Sequence, residues 1–351
     1  MPSKKILFGA IMLVGALVVL EVFASWFQLL WIRLAGTEQF TKVEPTYISL
    51  VNISYKIGLR FFAAPSPPVL YSITYEPRPA HEADAELGYK PLPGRYRVTF
   101  SHGERVRTIV TRNPDGTRWT GECQPNSPNV YIFGDSFAAG YGVNDEQTFA
   151  FLLQQARNDI CVRLFAVAGY GMTQAFIQFH QLRSQIKPDD IVILGYGDNF
   201  DERTAVVPSY LRAVSAPEEG VMRPIPMLDE SGAIHITYVQ QRCDENDGYC
   251  DNPDPPKEAI THLTAALIND IAATSRAPVY LLHYEGSKQN PIFGLLNGAV
   301  RRLSALDDDF DYTIRDNVMG LDIHPGPYWH YAISRKLIDA LGALKLMGKS
   351  H

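Results

Sequence analysis

The 351-residue chain has no basic run, no internal repeat and no low-complexity tract. Its 32 lysines and arginines are outnumbered by 38 aspartates and glutamates, so the formal net charge is −6. This balance gives no support to nucleic-acid binding. An HExxH motif, a CxxC pair and comparable Cys/His spacings are also absent from the sequence. We therefore expect neither a metal nor another cofactor.

Cysteine is scarce, with four residues at Cys123, Cys161, Cys243 and Cys250. If the protein is exported, these four permit two disulfides in three formal pairings. Cys243 and Cys250 are close enough in sequence to close a small loop, which leaves Cys123 to pair with Cys161. The alternative is four free thiols in a reducing compartment.

Charged residues are missing from Ile6 to Leu20, and after Glu21 the apolar stretch continues to Ile32. A stretch over 6–32 exceeds the roughly 20 residues that cross a hydrocarbon core. It predicts a retained transmembrane signal anchor, with residues 1–5 cytoplasmic and the rest on the periplasmic or extracytoplasmic side of the cell inner membrane. A cleaved signal peptide and a buried core helix are the alternatives, but the run is long for a signal peptide.

Residues 33–125 have a mixed texture and predict a linker and a β-containing accessory region. The stretch Ala64–Pro68 is typical of a linker, while Tyr96–Phe100 and Val106–Thr111 predict a β-pair joined around Gly103.

Strand and helix patterns alternate over 126–346, interrupted by an insertion at 205–256 that is rich in proline, glycine and charge. The alternation predicts an α/β fold of three layers, with a central parallel sheet between helices. Within the insertion, residues 223–229 and 233–239 predict a hairpin. The predicted strands are Val130–Phe133, Cys161–Val167, Asp190–Leu194 and Val279–His283, and the predicted helices are Glu146–Arg157, Thr173–Ile186, Lys257–Thr274 and Tyr328–Leu346.

The first of these strands leads directly into Gly134-Asp135-Ser136. A glycine permits a sharp turn, which would place the serine at the carboxyl edge of the sheet, where ligands bind in open α/β folds. Three further stretches follow in order: Ala166–Gly171, Gly195–Asn199 and Leu321–Pro325.

With these four stretches, the sequence from about 125 to 346 resembles the SGNH hydrolase superfamily of GDSL-like serine esterases and acyltransferases, which has a flavodoxin-like fold. The resemblance implies that Ser136 is the nucleophile, His324 the base and Asp322 the acid that orients it. It also implies an oxyanion hole built from the amides of Ser136 and Gly169 and the side chain of Asn199.

The chain departs from the family pattern at two positions. Phe200 follows Asn199 where an aspartate is usual, and Asp322 lies two residues before the histidine rather than three. A Ser-His dyad is the alternative if Asp322 does not reach the imidazole. Further alternatives are Gly171 as oxyanion donor, His330 as base and His283 as a pocket residue.

The resemblance implies chemistry through an acyl-serine intermediate, in hydrolysis or in acyl transfer. We expect the substrate to be an O-acyl, most simply O-acetyl, ester of an envelope or exported carbohydrate, because an anchored enzyme is confined beside the membrane. A lipase or thioesterase acting on acyl chains is one alternative. A catalytically inactive scaffold in polysaccharide export or assembly is the other.

Overall fold

The computed structural model describes residues 72–102, 104–197, 204, 222–240, 257–284, 290–306 and 324–347. All of them belong to one compact unit, Tyr71–His351. Within these ranges no helix has the length and apolar character to cross a membrane. The predicted anchor, the linker at 64–68, Asn199, Asp322 and the Cys243/Cys250 pair all lie outside the described residues.

The described residues contain twelve β-strands, five α-helices and two 3₁₀ turns, numbered here in chain order. The strands are β1 (Ser72–Glu76), β2 (His81–Asp84), β3 (Gly88–Pro91), β4 (Gly94–His102), β5 (Glu104–Arg112), β6 (Asn129–Phe133), β7 (Cys161–Leu164), β8 (Ile191–Tyr196), β9 (Met222–Leu228), β10 (Ile234–Gln240), β11 (Val279–His283) and β12 (Val300–Ser304). The helices are α1 (Ser136–Ala139), α2 (Phe149–Ala156), α3 (Met172–Leu182), α4 (Lys257–Thr274) and α5 (Pro327–Met347), with 3₁₀ turns at Asp145–Gln147 and Pro291–Gly294.

Five of the strands form a parallel sheet in the order β12-β11-β8-β6-β7. This confirms the predicted parallel sheet. The strand β12 was not predicted, because at this edge position Arg301 and Arg302 are exposed and the segment lacks the apolar run of a buried strand.

Helices cover both faces of the sheet. On β6, Val130 and Ile132 face a core shared with α2 and α5, while Tyr131 and Phe133 face a second core shared with α3 and α4. Successive side chains on a strand point to opposite faces, so the uninterrupted apolar run of β6 supplies both cores.

The predicted helix Glu146–Arg157 is shorter than expected. Thr148 divides it: its hydroxyl accepts a hydrogen bond from the Phe151 amide and so caps a new helix that begins at Phe149. The preceding 3₁₀ turn is closed by a capping box between Asn144 and Gln147.

The accessory strands form an antiparallel sheet, β1-β4-β5. The predicted pair is confirmed by β4 and β5, and the predicted hairpin in the insertion is confirmed by β9 and β10. Arg118 bridges to Arg112 at the end of β5 and to Leu164 in β7, so its backbone links the antiparallel sheet to the edge of the parallel one.

A disulfide joins Cys123 to Cys161, with the Cα atoms 5.1 Å apart. This confirms the predicted pairing for these two residues. The bond ties the segment before β6 to the first residue of β7.

Candidate active site

The turn after β6 is tight because Gly134 has no side chain. A Cβ at this position would lie 2.7 Å from the Cβ of Ala138 on α1, closer than real contacts allow. Asp135 then caps α1, its Oδ1 accepting a hydrogen bond of 2.8 Å from the Phe137 amide. The buried Ser136 is therefore the first helical residue at the carboxyl edge of a central strand.

His324 comes from a segment almost two hundred residues further along the chain, directly before α5. Its Nε2 lies 2.8 Å from Oγ of Ser136, which is hydrogen-bonding distance. The structure therefore brings the predicted nucleophile and the predicted base together in the geometry that general-base activation of a serine requires.

Two aromatic rings hold the His324 imidazole in place. Its centroid lies 5.1 Å from that of Phe137 and 4.4 Å from that of Tyr141, with interplanar angles of 44° and 36°. Both rings belong to the stretch that follows Ser136. One local segment therefore supplies both the nucleophile and the aromatic side chains that pack against the base. Their role was not predicted, although the Ser-Phe step is visible in the sequence.

Gly169 lies in the loop that extends β7 toward the same edge. The Phe165 and Val167 amides donate to the carbonyls of Ile132 and Gly134, so the loop continues alongside β6 as far as the serine turn. Gly169 then adopts φ +86°, a conformation that favours glycine. Neither its N–H nor that of Ser136 donates to another group in the described part of the chain, so both amides are available to an anionic ligand.

The alternative residues are engaged elsewhere. The Gly171 N–H donates to Oε1 of Gln174 at 2.9 Å as part of the N-terminal cap of α3, so it does not serve as an oxyanion donor in this arrangement. His330 is fully buried, and its Nδ1 accepts a hydrogen bond from the Phe149 amide. Burial, with smaller contributions from nearby positive charges, lowers the pKa of His330 to about 3. His283 is buried between the rings of Tyr196 and Phe293.

A buried arginine holds the loop behind the nucleophile. The guanidinium of Arg118 donates to Asp145 Oδ1 at 2.8 Å and to the carbonyls of Ala139, Gly140 and Val143 at 2.6–2.8 Å. The chain at the end of α1 is therefore held through its backbone oxygens. No local sequence pattern identified this residue, because its partners come from separate segments.

A second group missed by sequence reasoning lies beneath the serine turn. The hydroxyl of Tyr284 lies so close to Gly195 that a Cβ at this position would collide with it. Burial, and to a smaller extent the charge of Asp135, raises the pKa of Tyr284, so this phenol is neutral. Gly195 at the end of β8 therefore makes room for a tyrosine that packs on Phe137, the residue after the nucleophile.

No family model and no curated protein matches the chain. Among solved structures, a psychrotrophic esterase from Pseudoalteromonas sp. is 14% identical, with 62% of this chain and 98% of that chain covered and a TM-score of 0.34. A lipolytic protein of the G-D-S-L family from Veillonella parvula is 10% identical, covering 61% and 97% with a TM-score of 0.36.

An acetyl xylan esterase from the rumen bacterium Butyrivibrio proteoclasticus is 14% identical, covering 78% of this chain and 86% of its own, with a TM-score of 0.36. The neighbours are thus lipolytic and esterase structures.

Proposed function

We propose that this protein is a serine esterase or O-acyltransferase that works through an acyl-serine intermediate. The observation that carries the proposal is the 2.8 Å contact between Ser136 Oγ and His324 Nε2 at the carboxyl edge of the parallel sheet. A catalytically inactive scaffold would have no need to keep this pair assembled.

The reaction would begin when His324 Nε2 takes the proton from Ser136 as its Oγ attacks the ester carbonyl. Collapse of the tetrahedral intermediate breaks the bond to the alkoxy oxygen, which leaves with the proton from His324. Water or an acceptor hydroxyl then attacks the acyl-serine, giving up its proton to His324 and releasing either the acid or a new ester. His324 finally returns that proton to Ser136.

The amides of Ser136 and Gly169 are proposed as donors to the oxyanion, joined by the side chain of Asn199. The support for this role is that neither backbone amide donates to another of the described residues, together with the positive φ of Gly169. Each such donor contributes about 10²–10³ in rate. Asp322 is proposed to accept from Nδ1 of His324 and hold the imidazole in the tautomer that presents Nε2 to the serine.

Carbohydrate is the proposed class of substrate. Tyr328 and Tyr331, in the first turns of α5 just beyond His324, each expose more than half of their surface, and their ring centroids lie 6.5 Å apart. Exposed aromatic side chains often mark ligand-binding surfaces, and a phenol combines an apolar face with a polar tip that suits a sugar. A lipase would instead need a wide apolar groove for an acyl chain.

We also propose that residues 6–32 anchor the protein in the cell inner membrane with the catalytic unit on the extracytoplasmic side. The Cys123–Cys161 disulfide supports export, since such bonds persist in oxidising compartments.

The proposal is tested by treating the full-length protein with a fluorophosphonate probe, which labels activated serines. We expect wild type to be labelled and Ser136→Ala and His324→Ala to lose labelling while keeping their circular dichroism spectra. The matched controls are Ser275→Ala, before β11 at the opposite edge of the sheet, and His262→Ala, exposed on α4. Both controls should label like wild type.

Absence of labelling in folded wild type would refute the esterase proposal and favour the scaffold. If labelling succeeds, hydrolysis and transfer are separated by supplying an acetyl ester with and without a sugar acceptor and measuring the partition between free acetate and acetylated sugar.

A further inference from the structure

A small cavity lies between the accessory strands and the loop after α1. Its volume is about 40 Å³, enough for roughly three water molecules. Aromatic residues form much of its wall, and the polar atoms come chiefly from His81, Arg112 and Arg118. Tyr75 and Tyr141 are among these aromatic residues, and Ala168 also lines the cavity.

Arg112, the last residue of β5, is the group that no structural role explains. Its guanidinium is partly buried and makes one long hydrogen bond, 3.4 Å from Nη1 to the carbonyl of Ala166. No carboxylate among the described residues lies within ion-pair distance of it. A guanidinium has five N–H donors, so most of the hydrogen-bonding capacity of Arg112 is not used by the residues that the structure describes.

The second arginine of the cavity, Arg118, differs from Arg112 in having a full set of partners. It also lines the cavity, but Asp145 neutralises it and backbone carbonyls satisfy its other donors. Asp145 therefore balances the charge of Arg118 only, and among the described residues that line the cavity the charge of Arg112 is left over.

The remaining titratable groups do not cancel this charge. Burial raises the pKa of Tyr75 to about 12 and lowers that of His81 to about 3, so both are neutral at physiological pH. Burial and the positive charge of Arg118 lower the pKa of Arg112 to about 10, which still leaves it protonated. A half-buried cation that has no ion-pair partner among the described residues is costly, and a bound anion would relieve that cost.

We propose that this cavity is a binding site for a small carboxylate, held by the guanidinium of Arg112. The planar fork of a guanidinium matches the two oxygens of a carboxylate, and a cavity that holds about three waters has room for a carboxylate group.

The cavity adjoins the catalytic pair. Tyr141 lines it, and the same ring lies 4.4 Å from the imidazole of His324. Ala168, which lines it from the other side, directly precedes Gly169. A carboxylate bound here is therefore one side chain away from the base. The bound carboxylate is either part of the substrate or a free small acid such as the product of hydrolysis. The first of these two sources rests on the proposed function.

The binding test uses the full-length Ser136→Ala protein, so that its outcome does not depend on catalysis. Thermal unfolding is followed in increasing sodium acetate, with sodium chloride keeping the ionic strength constant. We expect acetate to raise the melting temperature, and Arg112→Gln to weaken the apparent affinity at least about tenfold, since a charged hydrogen-bonded contact is lost. Arg112→Lys should fall between the two, and Arg107→Gln, exposed on the same strand, should match the parent.

The source of the carboxylate is distinguished with the active enzyme and a pair of aryl esters, one neutral and one bearing a carboxylate. If the substrate carries it, Arg112→Gln lowers kcat/KM for the charged ester about tenfold relative to the neutral one. If a free acid binds, that ratio stays constant and Arg112→Gln relieves inhibition by acetate.

An acetate response that is equal in Arg112→Gln and its parent, or absent in a folded parent, would overturn this inference. Fluorophosphonate labelling of wild type would in either case leave the proposed function standing, so the two failures are distinguishable.

Discussion

Replacing Arg118 with methionine tests whether a buried ion pair holds the loop behind the nucleophile. The guanidinium is 2% exposed and the Asp145 carboxylate 3%. Methionine occupies much of the same space but leaves that carboxylate without its cation, and it also removes the donors to Ala139, Gly140 and Val143. Breaking a buried pair from one side costs about 3–5 kcal/mol, a large part of the roughly 5–15 kcal/mol that a folded protein has.

The magnitude depends on what Asp145 retains. Its Oδ1 also accepts a hydrogen bond of 3.1 Å from the Thr111 amide, so the orphaned carboxylate is not wholly without a partner. We therefore expect the lower half of the range, about 3–4 kcal/mol. The double variant Arg118→Met with Asp145→Leu removes the stranded charge and should recover part of the loss.

Urea unfolding of the full-length wild type, the single variant and the double variant measures these free energies. Arg163→Met is the matched control, because its ion pair with Asp115 is solvent-accessible on both sides and should contribute at most about 1 kcal/mol. The reasoning fails if Arg118→Met costs no more than this control, or if the double variant is less stable than the single one.

Three further predictions follow from individual contacts. Replacing Cys123 and Cys161 with serine should lower the free energy of unfolding by about 4 kcal/mol, from the entropy of a loop with a separation of 38 residues; the loss should vanish when wild type is measured with a reductant. Gly134→Ala places a Cβ 2.7 Å from Ala138, so it should cost about 1–3 kcal/mol and reduce probe labelling. Gly342→Ala, in α5 with open space around it, is the control and should leave the free energy of unfolding unchanged or raise it. If the two glycine variants changed this free energy equally, the steric argument would be refuted. His330 has its pKa lowered to about 3 by burial, while the unfolded chain takes up that proton near pH 6.5. The free energy of unfolding should therefore fall as the pH drops from about 6.5 toward 3, by up to about 1.4 kcal/mol per pH unit. In His330→Gln the free energy of unfolding should depend less on pH. An unchanged slope against pH would contradict this role of His330.

Several elements could be predicted from the sequence because their signals are local. The apolar run of β6 and the glycine after it predict a buried strand and a sharp turn. The helix Lys257–Thr274 was predicted with its observed bounds, and the hairpin of β9 and β10 was visible in its turn residues. The sequence-based predictions were wrong where tertiary contacts override the local pattern. Thr148 divides a predicted helix because it caps a new one, and β12 is a strand because it pairs with β11.

The sequence by itself determined the order of strands and helices, the position of Ser136 after a buried strand and the resemblance that singled out His324, because hydrophobic periodicity and turn chemistry are written in neighbouring residues. Only the tertiary structure decided that the imidazole reaches the serine at 2.8 Å and that Gly171 and His330 make other hydrogen bonds. It also decided that Arg118 pairs with Asp145, whereas Arg112 has no carboxylate partner in the described part of the chain. Hydrogen bonds and ion pairs of this kind join atoms that are distant in sequence, and packing brings them within a few ångströms of one another. Whether a donor is satisfied or free is therefore settled in three dimensions.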